Sequence, residues 1–505
     1  MNRPNILLIT TDQQHWNTLG AVNPKISTPN LDRLCREGTR FSRAYCASPV
    51  CSPSRATMIT GQYPAWHGCW TIGVKLAEDV PTIGESLSAA GYDTTLIGKA
   101  HFQPLASDPE GGQISLEAQP TLRDLDFWRG FHGPWYGFDH VEVARNHGDE
   151  SHVGQHYAIW LEEKGLLNWR DFFVRWPPEP DAPERLRHWD LPRQLHYTTW
   201  TAERSIAAIE KSANAKRPFF LWASFHDPHP PYLAPASWDS MYNPAEMEPG
   251  TLTPGELSLM PPHFAKTQEE NPDFSEWQET EHANHGFHSH LVADDRLRQN
   301  IAVYYGMVSF IDEQVGRMLD RLDELGIAKD TLIVFTTDHG HFLGQHGLTA
   351  KGAFLYEDLL RLPFIVRWPG RVPAGRESPA LQSLVDLAPT FLSACGLPVP
   401  GVMQGVNQLS VWKGADRPVR QMAVTEFRHQ PTKVHLRTYI SERFKITVYR
   451  DQDYGELFDL QSDPEERSNL WDDPSASEVK AEMIRQSLNA ELVREPMRLP
   501  RIAHA

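Results

Sequence analysis

Short apolar runs that end on polar, chemistry-bearing residues recur along this chain. Ile6 to Thr11 is apolar and β-branched and stops at Asp12, the pattern of a buried strand with a polar residue at its carboxyl end. Thr28 to Gly38 reads as a helix capped by Thr28, opened by Pro29 and closed by Gly38. Val50-Cys51-Ser52-Pro53-Ser54-Arg55 runs into another helical stretch, with Pro53 in the first turn, where its missing N–H is needed least. That puts Cys51 at a helix N-terminus, where free amides and the macrodipole favour an anion, with Arg55 one turn in. Thr82-Ile83-Gly84-Glu85 forms a capping box ahead of a helix ending near Gly91, and Thr94 to Ile97 is a strand that delivers Gly98-Lys99-Ala100-His101.

From about Leu105 to Trp200 the periodicity dissolves into Trp-, His-, Pro- and Arg-rich sequence, with Trp128, Trp135, Trp160, Trp169 and Trp176, and reads as an irregular cap. Regular structure resumes with a helix over Thr201 to Lys211 and a strand over Phe219 to Phe225, which empties into His226-Asp227-Pro228-His229-Pro230-Pro231-Tyr232. A second polar excursion, Asn243 to His290, carries His282, His285, His288 and His290. It lacks helical register and a carboxylate or thiol partner, so a solvated loop or lid is expected there before a metal site. Arg298 to Leu325 has a helical apolar period, with a break expected near Gly306 or Gly316. Thr331 to Thr337 is a strand ending at Asp338-His339-Gly340, Leu362 to Trp368 a further strand, and Asp386 to Cys395 a short helix.

After about Pro400 the texture changes to antiparallel-looking strands at Met422 to Glu426, Arg437 to Ile440, Lys445 to Tyr449 and Glu456 to Leu460, closed by a helix over Ser477 to Leu492. The expected fold class is α/β: a mostly parallel sheet flanked by helices, with its site along the carboxyl edge. That domain spans residues 1–400, with cap-like insertions at about 105–200 and 243–290, and a smaller α+β domain with antiparallel strands spans 401–505.

At 505 residues, with 40% hydrophobic and 22% charged positions, the composition is that of an ordinary globular protein. The net charge of −17 argues against nucleic-acid and anionic-membrane partners, so an anionic substrate would need a local positive cluster. Five cysteines, few and odd in number, speak against a disulfide framework. Without a signal-peptide core or a membrane-spanning stretch, a cytoplasmic protein is expected.

Asp12-Gln13, Asp338-His339 and the loop at Cys51 offer carboxylate, amide and imidazole ligands, a mixed oxygen and nitrogen set for a divalent cation. Arg55, Lys99 and Lys351 supply the local positive cluster, and His101 and His229 are candidate proton carriers.

Cys51-Ser52-Pro53-Ser54-Arg55, continuing to Thr60-Gly61, resembles the first sulfatase signature, departing only by Ile59 for Leu. Gly91 to His101 resembles the second. Asp338-His339-Gly340, with Leu343-Gly344-Gln345-His346-Gly347 and Lys351, resembles the family's metal-and-lysine block. Pro228 to Tyr232 and the tail around Gly455 to Leu460 match as well, so the resemblance runs from residue 5 to about 475. It implies an alkaline-phosphatase-like fold, hydrolysis of an organic sulfate monoester, and conversion of Cys51 to formylglycine by a formylglycine-generating maturation enzyme.

The resemblance also implies roles. A hydroxyl of the hydrated aldehyde attacks sulfur, and Lys99, Lys351 and a metal at Asp12, Gln13, Cys51, Asp338 and His339 hold the sulfate oxygens. His229 with Lys351 protonates the leaving oxygen, His101 takes the last proton, and Arg55 positions the diol. The expected cation is Ca2+, the family's common metal, with Mn2+ or Mg2+ as alternatives. Gln13 in place of a second Asp is shared with phosphonate monoester hydrolases and choline sulfatases, and His339 in place of Asn with the phosphonate enzymes and some sulfatases; His339 suits manganese better than calcium. The alternative activity is therefore phosphonate monoester or phosphodiester hydrolysis. Lys99 with His101 favours the sulfatase, because the phosphonate enzymes are expected to lack that pair. A non-catalytic homologue fits poorly with a filled set of positions. The alcohol half of the substrate and the oligomeric state are not readable.

Overall fold

In the first strand, Leu7 and Ile9 enter one apolar cluster while Ile6 and Leu8 enter another, so alternate side chains bury on opposite faces of one sheet. The structure, a computed structural model, describes residues 3–145, 148–173 and 189–495; Trp176 and the end of the C-terminal segment lie outside them.

The strands of the main sheet are β1 (Asn5–Thr11), β2 (Thr39–Phe41), β3 (Asp93–Gly98), β4 (His140–Val143), β5 (Phe219–Ser224), β6 (Thr331–Thr337), β7 (Ile365–Arg367) and β8 (Arg376–Ser378). Their spatial order is β8-β2-β7-β6-β1-β5-β3-β4. β1 pairs in parallel with β5 and β6, and β3 in parallel with β4 and β5. β7 runs antiparallel to β2 and β6, so the sheet is mostly parallel with one reversed strand.

The helices that matter for the site are α1 (Pro29–Glu37), α2 (Cys51–Thr60), α3 (Ile83–Ala89), α4 (Tyr197–Ala215), α5 (Asp294–Glu324) and α6 (Leu387–Ala394). α4 and α5 cover one face through Ile209, Ile311, Val315 and Leu319. α2, α3 and α6 cover the other through Ala56, Ile59, Leu87 and Phe391. Each fully buried Leu, Ile or Phe among these contributes about 1.5–3 kcal/mol. A second, antiparallel sheet follows, ordered β9 (Ala423–Arg428), β10 (His435–Ile440), β11 (Phe444–Tyr449) and β12 (Gly455–Asp459), with a closing helix over Ser477–Arg494.

Four expectations are corrected. The apolar run at Leu362–Trp368 is two short strands, because Pro363 interrupts it: Arg361–Leu362 pairs with Ala44–Tyr45, and only β7 joins the main sheet. α5 is one unbroken helix of 31 residues, so neither Gly306 nor Gly316 breaks it. The Trp-rich stretch is not wholly irregular: β4 forms the sheet edge, and Gln155–Glu163 is a helix whose Tyr157, Trp160 and Leu161 pack with Trp200. Thr28 sits at the N-cap of α1 but makes no cap bond to it; Asp312 of α5 accepts from Asn30 N at 3.0 Å and Leu31 N at 2.7 Å instead.

Among the described residues, no helix is long and apolar enough to cross a membrane.

Candidate active site

The four adjacent strands β6, β1, β5 and β3 end at one edge, and each delivers a chemical group there. β1 leads into Asp12 and Gln13, β6 into Asp338 and His339, β3 into Lys99, and β5 into the segment that reaches His229. The close approach of β3 to β5 needs glycine: a Cβ on Gly98 would lie 1.9 Å from the Ser224 carbonyl oxygen, and Lys99 N donates to that oxygen at 2.9 Å.

α2 points its N-terminus at this edge. Cys51 is its first residue, Val50 precedes it in extended conformation without a side-chain cap, and Gly61 ends it in the left-handed region. All ten residues of α2 are buried, and the side chains of Ser54, Arg55, Thr57 and Thr60 find hydrogen-bond partners there. Ser54 Oγ donates to Asp338 O at 2.6 Å. Arg55 Nε donates to Asp338 Oδ2 at 2.8 Å, and its Nη1 donates to Lys99 O and Ser224 Oγ. Arg55 Nη2 has no hydrogen-bond partner among the described residues.

Asp12, Cys51, Asp338 and His339 form one buried group whose ligand atoms lie within 4.8 Å of one another. Cys51 Sγ is 3.6 Å from Asp12 Oδ1 and 3.3 Å from His339 Nε2. His339 Nδ1 donates to Gly340 O at 2.9 Å, which leaves Nε2 as the ring nitrogen that could meet a cation. Asp338 Oδ1 accepts from Gln13 N at 3.0 Å. Gln13 Oε1 is buried with no partner among the described residues, as an oxygen ligand without its cation would be. Two buried carboxylates, an amide oxygen without a donor and an imidazole nitrogen fit a divalent cation.

Positive charge surrounds residue 51. Lys351 Nζ stands 3.2 Å from Cys51 Sγ, 3.3 Å from His229 Nε2 and 3.4 Å from His339 Nε2, and Lys99 Nζ is paired with Asp12 Oδ2. Burial opposes ionisation of Cys51, but Lys351, Lys99 and His339 outweigh it and hold the thiol well below its ordinary range. Burial and Cys51 oppose ionisation of Asp12 too, yet Lys99, His229 and Arg55 hold it low. Asp338 is pushed up by burial and by Asp12 beside it, despite Arg55. Burial, then Arg145, keeps His101 well below the usual imidazole range, and burial with Lys351 lowers His229.

The structure therefore brings Asp12, Gln13, Cys51, Arg55, Lys99, His229, Asp338, His339 and Lys351 to one edge of the sheet. His101 follows Lys99 with a positive φ of 58°, and its backbone N donates to Glu117 Oε1 at 2.9 Å.

Sequence reasoning missed Glu117, whose other oxygen accepts from Gln103 N, and Arg145, 3% exposed at the end of β4. No motif marks either one. His285 lies in an irregular segment, as expected, with His282 and His288 exposed, but is itself partly buried. It stacks edge-on against His429 with ring centres 4.9 Å apart, and burial and Lys351 lower its pKa well below the usual range. His290 is buried and accepts from Thr349 N, two residues before Lys351.

The sulfatase family model matches residues 4–397, and the C-terminal model of N-sulphoglucosamine sulphohydrolase matches residues 344–493. The chain is 28% identical to the uncharacterized sulfatase YidJ of Escherichia coli over 99% of its own length and 89% of that protein's. It is 29% identical to the multifunctional alkaline phosphatase superfamily protein PehA of Trinickia caryophylli, over 97% of this chain and 96% of that one. Its fold is similar to the phosphonate monoester hydrolase of Agrobacterium radiobacter, with a TM-score of 0.79 and 25% identity over 98% and 97% of the two chains. A family match over most of the chain, on a sheet edge carrying these residues, means that the chain belongs to the sulfatase family and is a sulfuric ester hydrolase.

Proposed function

We propose that the enzyme hydrolyses an organic sulfate monoester to alcohol and sulfate, using formylglycine made from Cys51 by a maturation enzyme. One divalent cation would be held by Asp12, Gln13, Asp338 and His339 beside residue 51. The observation that carries this reading is the approach of Lys351 Nζ (3.2 Å) and His339 Nε2 (3.3 Å) to Cys51 Sγ at the N-terminus of α2. An ordinary structural thiol has no need of such company.

Hydrated formylglycine supplies two oxygens on one carbon, one to attack sulfur and one whose deprotonation expels sulfate; a thiol cannot do the second. Bound at the carboxylates, the cation supplies positive charge to the reacting oxygens; Ca2+ is expected, with Mn2+ or Mg2+ as alternatives, and His339 favours Mn2+.

The protein's own groups divide the remaining work. Lys99 and Lys351 hold sulfate oxygens and stabilise charge that shifts in the transition state. His229 Nδ1 donates to Pro230 O at 2.6 Å, so Nε2 faces the Lys351 ammonium, and the two deliver a proton to the leaving oxygen. His101, kept neutral by burial, accepts the proton of the remaining hydroxyl of residue 51. Arg55, with Nε and Nη1 engaged, has Nη2 left to hold residue 51 in place.

Mass measurement of the Cys51 peptide, after expression with a formylglycine-generating enzyme, tests the covalent chemistry. Only unmodified thiol in an active preparation would end it.

A second reading, hydrolysis of phosphonate monoesters or phosphodiesters, is favoured by Gln13 among the cation ligands and by the phosphonate monoester hydrolase neighbour. Lys99 paired with Asp12 beside His101 favours the sulfate ester. Rates on an aryl sulfate, a phosphonate monoester and a phosphodiester decide between them, and a phosphonate rate well above the sulfate rate reverses the order.

A further inference from the structure

Gln13 can serve a cation only through its amide oxygen, and an amide has two orientations. Its backbone, at a positive φ of 63°, is pinned at both ends of the residue: Gln13 N donates to Asp338 Oδ1 at 3.0 Å, and Gln13 O accepts from Tyr304 Oη at 2.8 Å. Its side-chain Nε2 donates to His341 Nδ1 at 2.7 Å, and Oε1 stays buried with no donor among the described residues. An oxygen left this way in a protein interior is unfavourable unless something else meets it.

For Nδ1 of His341 to accept, its proton must be on Nε2, and Nε2 lies 2.8 Å from Tyr232 Oη, which takes that proton as an acceptor. The ring has no freedom to leave. It stacks on Tyr304 with centres 5.0 Å apart and planes 14° apart, and Tyr232 meets it edge-on at 5.9 Å. Tyr304 Oη also accepts from His15 N at 2.8 Å, so the stacking partner is itself held. The opposite tautomer would donate to the amide oxygen and turn the NH2 group toward the carboxylates, where it would compete with a cation.

We propose that His341, fixed by Tyr232, is a positioning residue that turns the Gln13 amide so that its oxygen faces the cation site. This rests on the reading of Gln13 as a cation ligand. In this role His341 acts through its hydrogen bond to Gln13. Partners of this kind typically change metal affinity by about 10–100-fold when removed.

The test is calorimetric titration of Mn2+, and separately Ca2+, into the full-length chelator-stripped protein, with metal-free thermal unfolding as the folding control. His341→Phe keeps the ring stack and loses the acceptor; its affinity is expected to fall about 10–100-fold. His341→Asn, which restores an acceptor near the Nδ1 position, should bind close to wild type. Gln13→Ala should also weaken binding, and adding His341→Phe to it should change nothing more.

Wild-type affinity in His341→Phe, alongside weakened Gln13→Ala, overturns the positioning role and leaves the ligand reading standing. Unchanged affinity in Gln13→Ala removes the ligand reading and the proposal with it. A full further loss in the double variant shows that His341 acts by another route and overturns the proposal. If His341→Phe does not fold, Tyr232→Phe decides: it should weaken binding when Gln13 is present and have no effect in Gln13→Ala, and unchanged affinity in both counts against the proposal.

Discussion

Lys351 Nζ lies 3.2 Å from Cys51 Sγ and 3.3 Å from His229 Nε2, so a single ammonium reaches both the proposed nucleophile and the proposed proton carrier. Neutralising it should therefore damage the chemical step more than substrate binding. Lys351→Ala is expected to lower kcat on an aryl sulfate by about 10²–10³, the effect of removing one donor aimed at developing charge. Lys351→Arg should not restore it, because a planar guanidinium cannot place one donor toward each partner as the compact ammonium does. Steady-state kinetics separate the outcomes: a raised KM with unchanged kcat would reduce Lys351 to a binding contact.

Arg55 and Asp338 form a fully buried pair, both 0% exposed, with Nε to Oδ2 at 2.8 Å. Removing one partner leaves the other charge in the interior, at a cost of about 3–5 kcal/mol. Arg55→Ala should lower the unfolding free energy from urea melts by about that amount, and Asp338→Ala similarly, with the double variant much less damaged than the sum. Additive losses would mean that the two charges are not coupled.

The site was largely legible in the chain because its groups sit at strand ends and in a helix N-terminus, positions that leave local marks. Apolar runs stopping at Asp12, Gly98 and Asp338 predicted β1, β3 and β6, and Pro53 placed Cys51 at the start of α2. What stayed hidden depends on tertiary contact. Arg145 follows an edge strand with no motif, and Glu117 meets His101 only because of how the loop folds back. His341 sits in the Asp338-His339-Gly340-His341 run in plain view, yet its role comes from Gln13, Tyr232 and Tyr304, which lie far away in the chain. The misread run at Leu362–Trp368 shows the other limit: apolar continuity cannot reveal that Pro363 divides two sheets.

In the C-terminal sheet, Glu456 on β12 is buried and accepts from Tyr449 Oη at 2.7 Å, and burial pushes its carboxyl up to about 7 from 4.5. Between those pH values the unfolded chain has lost the proton that the folded chain keeps. The folded state therefore loses stability from this group as pH rises from 4.5 to 7. Glu456→Gln retains an acceptor for Tyr449 but cannot titrate. Its stability relative to wild type, from urea melts, should rise across that window and level off above it. A difference that is flat or falls with pH would show that Glu456 is not held protonated by the fold.

Gly306 marks a place where helix propensity and packing oppose each other. It lies mid-helix in α5, where Gly→Ala ordinarily stabilises by about 1 kcal/mol. A Cβ there would lie 2.0 Å from the Trp238 carbonyl oxygen, a backbone atom that cannot rotate away. The glycine therefore does not break the helix; it lets the 235–239 turn lie directly against it, and that turn follows the segment carrying His229 and Tyr232. Gly306→Ala should lose about 1–3 kcal/mol, the usual penalty of overpacking, in place of the propensity gain. Because the displaced turn continues from the segment carrying His229, the proposed proton carrier, kcat should fall with stability, and the two should be recorded on the same preparation. A stabilised Gly306→Ala variant with full activity would show that the contact yields without cost and that the helix chose glycine for another reason.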